Sequence, residues 1–60
     1  MKIHEYNDLI NIINEQKASA ELMVKRIRIY QEDIPKEEIA DFLDELVTQL
    51  KNAKSIVTRS

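Results

Sequence analysis

The chain is 60 residues long, contains no Cys and no Gly, has one Pro and one His, and carries a net charge of −2. A chain of this length buries only about 60% of its unfolded surface, so it usually needs a disulfide, a metal or a partner chain. The absence of Cys excludes disulfides and thiolate metal sites, and one His cannot supply a zinc pair. Self-association is therefore the expected source of additional stability.

The slightly acidic charge balance disfavours nucleic acid as a partner, because nucleic-acid-binding domains normally carry a basic excess. The N-terminal residues lack the apolar core of a secretion signal, and no run of 18 apolar residues predicts a membrane span. We therefore expect a cytoplasmic protein that makes no membrane contact.

The first predicted element is a helix over about residues 3–30. It ends before Pro35, which disfavours helix at the preceding residue and fits the first turn of a new helix. The second predicted helix covers about residues 35–57, with a turn at 31–34. The chain has none of the Gly, Asn-Gly or Asp-Gly turns that strand hairpins need. It is therefore predicted to be a single all-α domain over residues 1–60.

Both predicted helices carry apolar residues at alternating spacings of three and four, the pattern of helices packed side by side. Folding the chain back near residue 33 matches the two stripes as an antiparallel hairpin. A single polar residue in this seam, Gln16, is expected to fix the register of packing. The predicted facing pairs are Ile27 with Ile39, Met23 with Leu43, Ala20 with Leu46, Gln16 with Leu50, Ile13 with Ala53, and Leu9 with Val57.

Further apolar residues flank this seam on both helices, and one hairpin cannot cover both flanks. Two hairpins can, as a four-helix bundle with two-fold symmetry. We therefore expect a homodimer, with a monomeric hairpin as the alternative. The predicted core and dimer residues are Leu9, Ile10, Ile13, Gln16, Ala20, Met23, Val24, Ile27, Ile39, Phe42, Leu43, Leu46, Val47, Leu50, Ala53, Ile56 and Val57.

This pattern of two apolar helical stripes around one central turn resembles the Rop family of plasmid-encoded proteins. The resemblance covers the whole chain and lies in the pattern of residues. It implies a hairpin that dimerises into a four-helix bundle, and it implies RNA as a possible ligand.

A second stripe on the first helix contains Leu22, Arg26 and Ile29, which are expected to lie outside the seam. Two aliphatic residues around an arginine form a plausible anchor set for a partner protein. The alternative is that these residues belong to the dimer interface.

Lys25, Arg26 and Arg28 form the only basic cluster in the sequence. They could contact phosphate, as an RNA ligand would require. The alternative, which the charge balance favours, is that they pair with the acidic start of the second helix, residues 37–45. That acidic segment could itself bind a basic partner surface, although such runs are usually solvated helix faces.

The sequence contains no Gly-rich phosphate loop, nucleophile motif or metal motif, so neither catalysis nor a cofactor is expected. The preferred hypothesis is a non-catalytic dimer that binds and regulates or inhibits a larger protein. Its size and composition are typical of phage and mobile-element products, including inhibitors of host defence systems. The alternatives are a Rop-like RNA-binding regulator and a purely structural oligomerisation element.

Overall fold

The computed structural model describes residues 1–59, and Ser60, which the predicted domain includes, lies outside the described residues. Helix α1 spans Ile3–Tyr30, a single 3₁₀ turn covers Gln31–Asp33, and helix α2 spans Lys36–Arg59. The molecule is 44 Å long. That is close to the length of α1 alone, about 42 Å at 1.5 Å per residue. The chain therefore folds back once, and the predicted all-α hairpin is confirmed.

Helix α1 begins with a reciprocal pair of hydrogen bonds at Lys2. The Lys2 backbone N–H donates to the Glu5 carboxylate at 2.9 Å, and the Lys2 carbonyl accepts from the Glu5 N–H at 3.0 Å. A carboxylate in the first turn also interacts favourably with the positive end of the helix dipole. These contacts fix the start of α1 although a lysine is a poor capping residue.

The turn between the helices depends on an unusual backbone conformation at Gln31, with φ 45° and ψ −115°. The Gln31 N–H still donates to the Ile27 carbonyl, which closes the last turn of α1. The Gln31 carbonyl then accepts from the Ile34 N–H at 3.2 Å. The reversal of the chain is thus confined to a few residues.

Helix α2 begins one residue later than predicted, at Lys36. The Pro35 carbonyl accepts hydrogen bonds from the N–H groups of Glu38 and Ile39, so proline occupies the capping position. Ile34 is buried, and it lines a small depression beside the turn together with Ile39. An apolar residue before the cap that meets one four positions into the helix is a hydrophobic staple, which fixes the direction in which α2 leaves the turn.

Helix α2 extends to Arg59, two residues beyond the predicted end. The Thr58 hydroxyl donates to the Ser55 carbonyl at 3.2 Å, and the Arg59 Nε donates to the same oxygen at 3.2 Å. Both side chains thus add hydrogen bonds to a carbonyl in the last turns of α2, where backbone partners run out toward the helix end. A basic residue in the last turn also complements the helix dipole.

The register of the hairpin follows from an ion pair between Arg26 on α1 and Glu38 on α2. Because these two residues lie at the same level, each step back along α1 corresponds to a step forward along α2. Within about one residue, this register brings four pairs of half-buried or buried positions level. They are Met23 with Phe42, Gln16 with Gln49, Ile12 with Ala53, and Leu9 with Ile56.

The seam is rotated relative to the predicted pairing. Leu43 and Leu50, expected to face α1, are 49% exposed, whereas Phe42 and Gln49 are half-buried. On α1, Ile12 is half-buried, although the predicted seam did not include it. The rotation is possible because α2 carries two adjacent apolar stripes, and either could pack against α1. Turning the phenylalanine inward removes the largest apolar side chain from water.

Candidate interaction surfaces

The core of the hairpin is small. Among the described residues, Met23, Ile34 and Ala53 are the buried hydrophobic residues, and no large side chain is fully enclosed. Most seam residues remain half-buried because two helices alone cannot surround a side chain. The surface of the hairpin therefore retains much of the apolar area that a globular domain would bury.

Exposed apolar residues follow one side of both helices, and we call this surface the apolar face. On each helix its members are separated by multiples of three and four residues, so they share one side. Each is between 38% and 55% exposed. The apolar face consists of Tyr6, Ile10, Ile13, Val24, Ile27, Leu43, Val47 and Leu50.

The two halves of the apolar face lie on the same side of the hairpin. At about 100° per residue, each half is displaced from its own seam stripe by roughly a quarter turn in the same rotational sense. In antiparallel helices, equal displacements in the same sense point to the same side of the pair. Val57, which is 51% exposed, continues the α2 half.

Two lysines interrupt the apolar face. Lys17 occupies the α1 stripe between Ile13 and Val24, and Lys54 occupies the α2 stripe after Leu50; both are exposed. Lysine can cover apolar surface with its methylene stem while its ammonium group stays in water. The apolar face is therefore apolar in its atoms over most of its length but carries positive charge near its middle and one end.

On the opposite side of α1, Leu22 is 62% exposed and Ile29 is 70% exposed. They lie two turns apart on one side of the helix, and we call them the outer patch. The helical spacing places exposed Glu15 on the same side, and across the hairpin it places exposed Asp41 and Glu45 beside them. The outer patch is therefore a small apolar surface with charges of both signs at its border, because Leu22 also shares a shallow depression with Lys25 and Arg28.

The sequence grouped Arg26 with Leu22 and Ile29, and in the structure Arg26 also contacts the second helix. Its guanidinium pairs with the Glu38 carboxylate, and both side chains are about 40% exposed, at 39% and 41%. Arg26 thus links α1 to α2 at the turn end of the hairpin. The remaining two members of the predicted cluster, Lys25 and Arg28, are exposed.

The structure divides the predicted core and dimer residues into two groups. Those on the seam side are buried or half-buried, and the others are exposed on the apolar face or its continuation. The seam group is Leu9, Gln16, Ala20, Met23, Ile39, Phe42, Leu46, Ala53 and Ile56. The exposed group is Ile10, Ile13, Val24, Ile27, Leu43, Val47, Leu50 and Val57.

Two of the contributors that the sequence reasoning missed are Ile34 and Gln49. Ile34 could have been found from the hydrophobic-staple pattern, since it precedes Pro35 and Ile39 follows at the right distance. The pairing of Arg26 with Glu38, by contrast, matches the alternative in which the basic cluster pairs with the acidic start of the second helix. Gln49 gave no signal, because a polar residue between two apolar stripes is normally assigned to solvent.

No protein-family model matches the chain, and comparisons with curated proteins and with solved structures give no significant match. The resemblance to the Rop family therefore gains no support from them. Residues 1–59 contain no group of three or more His, Cys, Asp or Glu side chains placed to hold a metal ion. Neither helix, over the same residues, is long and apolar enough to cross a bilayer.

Proposed function

We propose that this protein is a non-catalytic, dimeric helical bundle that binds a larger protein in the cytoplasm and regulates or inhibits it. Its small size and balanced charge suit a phage or mobile-element product directed against a host system. In this proposal the apolar face serves self-association, and the outer patch serves the larger partner. The two tasks are compatible because the surfaces lie on different sides of the hairpin.

The observation that supports partner binding is the exposure of Leu22 and Ile29 away from both the seam and the apolar face. Dimerisation through the apolar face would leave both side chains in water. Two large aliphatic residues on one side of a helix are typical anchors for helix-on-helix recognition. Burying both side chains against a partner would stabilise the complex in proportion to the apolar area removed from water.

The charges around the outer patch are of both signs. Acidic Asp41 and Glu45 lie on the α2 side of Leu22, whereas Lys25 and Arg28 line the depression that Leu22 shares on the outside of α1. A partner helix with an apolar stripe between a basic edge and an acidic edge would complement both borders, because complementary charges speed encounter and suppress wrong partners. We therefore propose an amphipathic helix of mixed charge on the larger protein.

The test replaces both anchors with Glu and uses N7E/N14E as a matched control. Asn7 and Asn14 are exposed on the same helix and, like the anchors, are seven residues apart, so the control introduces the same two charges away from the outer patch. Proteins captured by the unaltered chain are quantified, and the strongest candidate is purified and titrated against all three forms. We expect L22E/I29E to weaken binding at least about 100-fold, with N7E/N14E unchanged. Equal binding by all three forms would contradict this role for the outer patch.

RNA binding is a second candidate function, supported by one observation. Lys17, Lys25 and Arg28 all line a shallow depression on the outside of α1, with Glu21 among them. Three cations at one site could contact phosphates, and such binding would weaken steeply with added salt. An RNA titration at two salt concentrations, with K25Q/R28Q for comparison, tests it. Binding that is insensitive to salt and to both substitutions would exclude it.

The purely structural alternative makes the opposite prediction to both. It requires only the apolar face and expects no partner other than copies of the chain. The titration with the purified candidate separates the alternatives, because a structural element would show neither saturable binding nor dependence on Leu22 and Ile29.

A further inference from the structure

We propose that the occupant of the apolar face is the apolar face of a second copy of this chain. The inference assigns a surface to the dimer named in the proposed function. It does not depend on the larger partner, since loss of partner binding through the outer patch would leave it unchanged.

The hairpin exposes more surface than a compact monomer of its mass. Its accessible surface is 5050 Å². A compact monomer of 7.1 kDa exposes about 4,100 Å² by the scaling of folded proteins, so this hairpin exposes about 950 Å² more. A standard interface buries about 800 Å² on each partner. The surplus on one chain is therefore close to what dimerisation would remove.

The apolar side chains extend along most of the hairpin. The α1 half extends from Tyr6 to Ile27 and the α2 half from Leu43 to Leu50, continued by Val57, so together they cover most of the hairpin's length. A two-fold axis brings the same surface of both copies together, which requires a self-complementary shape. The apolar face is elongated and is formed by two neighbouring helices, so pairing it with its own copy yields a four-helix bundle with the apolar side chains between the two hairpins.

The opposite side of the hairpin offers much less apolar area for a dimer. Among residues 1–59, its large exposed apolar side chains are those of the outer patch and Tyr30, all on α1. Its α2 half consists of polar positions such as Asp41, Thr48 and Asn52, all exposed. Pairing two copies through the outer patch would therefore remove little apolar surface from water.

The experiment compares one substitution on each surface by equilibrium sedimentation. Val47→Glu lies in the middle of the apolar face, and Leu22→Glu carries the same charge on the outer patch. We expect the unaltered protein and L22E to have twice the 7.1 kDa chain mass. We expect V47E to raise the dimer dissociation constant at least about tenfold, because burying a carboxylate in each copy costs more than pairing with Lys17, which lies level with it on α1, recovers. A dimer disrupted by L22E but not by V47E would overturn the assignment.

A second measurement avoids substitutions that could unfold the hairpin. The natural chain has no Cys. Single-cysteine variants V47C and L22C can therefore each carry one spin label. In the proposed dimer the two labels at position 47 lie on neighbouring or diagonal helices, so we expect a distance below about 20 Å. The labels at position 22 lie on opposite outer surfaces, and we expect more than about 25 Å. A short distance at position 22, or no dipolar coupling at either position, would contradict the proposal.

Discussion

Gln31 holds the one backbone conformation in residues 1–59 that is costly for its residue type. Its φ of 45° lies in the region that favours glycine, where a side chain costs about 1–3 kcal/mol. The surrounding contacts compensate for this cost, since the Gln31 N–H and carbonyl both make hydrogen bonds across the turn. The sequence gives no sign of it, because glutamine carries no preference for such a conformation.

Replacement of Gln31 with Gly is expected to stabilise the protein. Glycine adopts this conformation without steric strain, and the gain exceeds the entropy that glycine adds to the unfolded chain. We expect the free energy of unfolding to rise by about 1 kcal/mol in urea titrations. The control is Glu32→Gly, at a neighbouring turn position with negative φ, which should lower it. A loss of stability in Q31G would show that this backbone conformation is not strained.

The Arg26–Glu38 ion pair joins the helices near the turn, and its half-exposed geometry makes it worth at most about 1 kcal/mol. Arg26→Glu places two carboxylates together, so we expect a loss of stability of about that size. The charge-swapped double variant R26E/E38R should recover most of it. Urea unfolding at low and high salt measures both effects. Equal stability of the single and double variants would show that the pair contributes nothing to the hairpin.

At the scale of the helix, the difficulty for prediction lies in α2. Its apolar residues cover two adjacent stripes, one through Phe42 and Leu46 and one through Leu43, Val47 and Leu50. Spacing alone shows that both stripes exist but not which one packs on α1. The sequence therefore predicted the hairpin correctly while pairing several residues with the wrong neighbours. The size of Phe42 is the clue that would have corrected the rotation.

The lysines within the apolar face are expected to limit its affinity for a second copy. Polar residues in helical interfaces restrict register and oligomer state at a cost in stability. We expect Lys17→Leu to lower the dimer dissociation constant by at least about tenfold, because it removes a charge from the interface and adds apolar area. Sedimentation of the variant measures this.

The matched control for K17L is Lys25→Leu, an exposed lysine on the same helix that lies away from the apolar face. It should leave the dissociation constant unchanged. If both substitutions tightened association equally, general hydrophobicity rather than the apolar face would be responsible. A shift of K17L to larger assemblies would show that the lysine selects the dimer as well as weakening it.

At the scale of the whole molecule, folding and association should be coupled. Among residues 1–59, three are buried, which is a core too small to hold the hairpin firmly. In the proposed dimer, much of the stability would therefore come from the second copy. We therefore expect the melting temperature to rise with protein concentration, which circular dichroism at several concentrations measures. The dimer-disrupting V47E should lose this dependence and melt at a lower temperature. A melting temperature that is independent of concentration would mean that the hairpin is stable alone.

The overall architecture was predictable because it depends on where helix-breaking residues occur and on the composition of the chain. One Pro, no Gly and two long apolar patterns leave little other than two helices and a turn. The separation into an apolar face and an outer patch was not predictable, because it depends on the rotation of each helix about its axis. The pairing of Arg26 with Glu38 matches the alternative in which the basic cluster pairs with the acidic start of the second helix, and a role of Arg26 in partner binding stays a prediction.

The central claim is that two hairpins associate to form the stable protein. Equilibrium sedimentation of the unaltered chain over a roughly hundredfold dilution series, with helicity followed at each concentration, tests it most directly. The account predicts twice the 7.1 kDa chain mass at high concentration, with mass and helicity falling together on dilution. A fully helical species of 7.1 kDa at every concentration would contradict it.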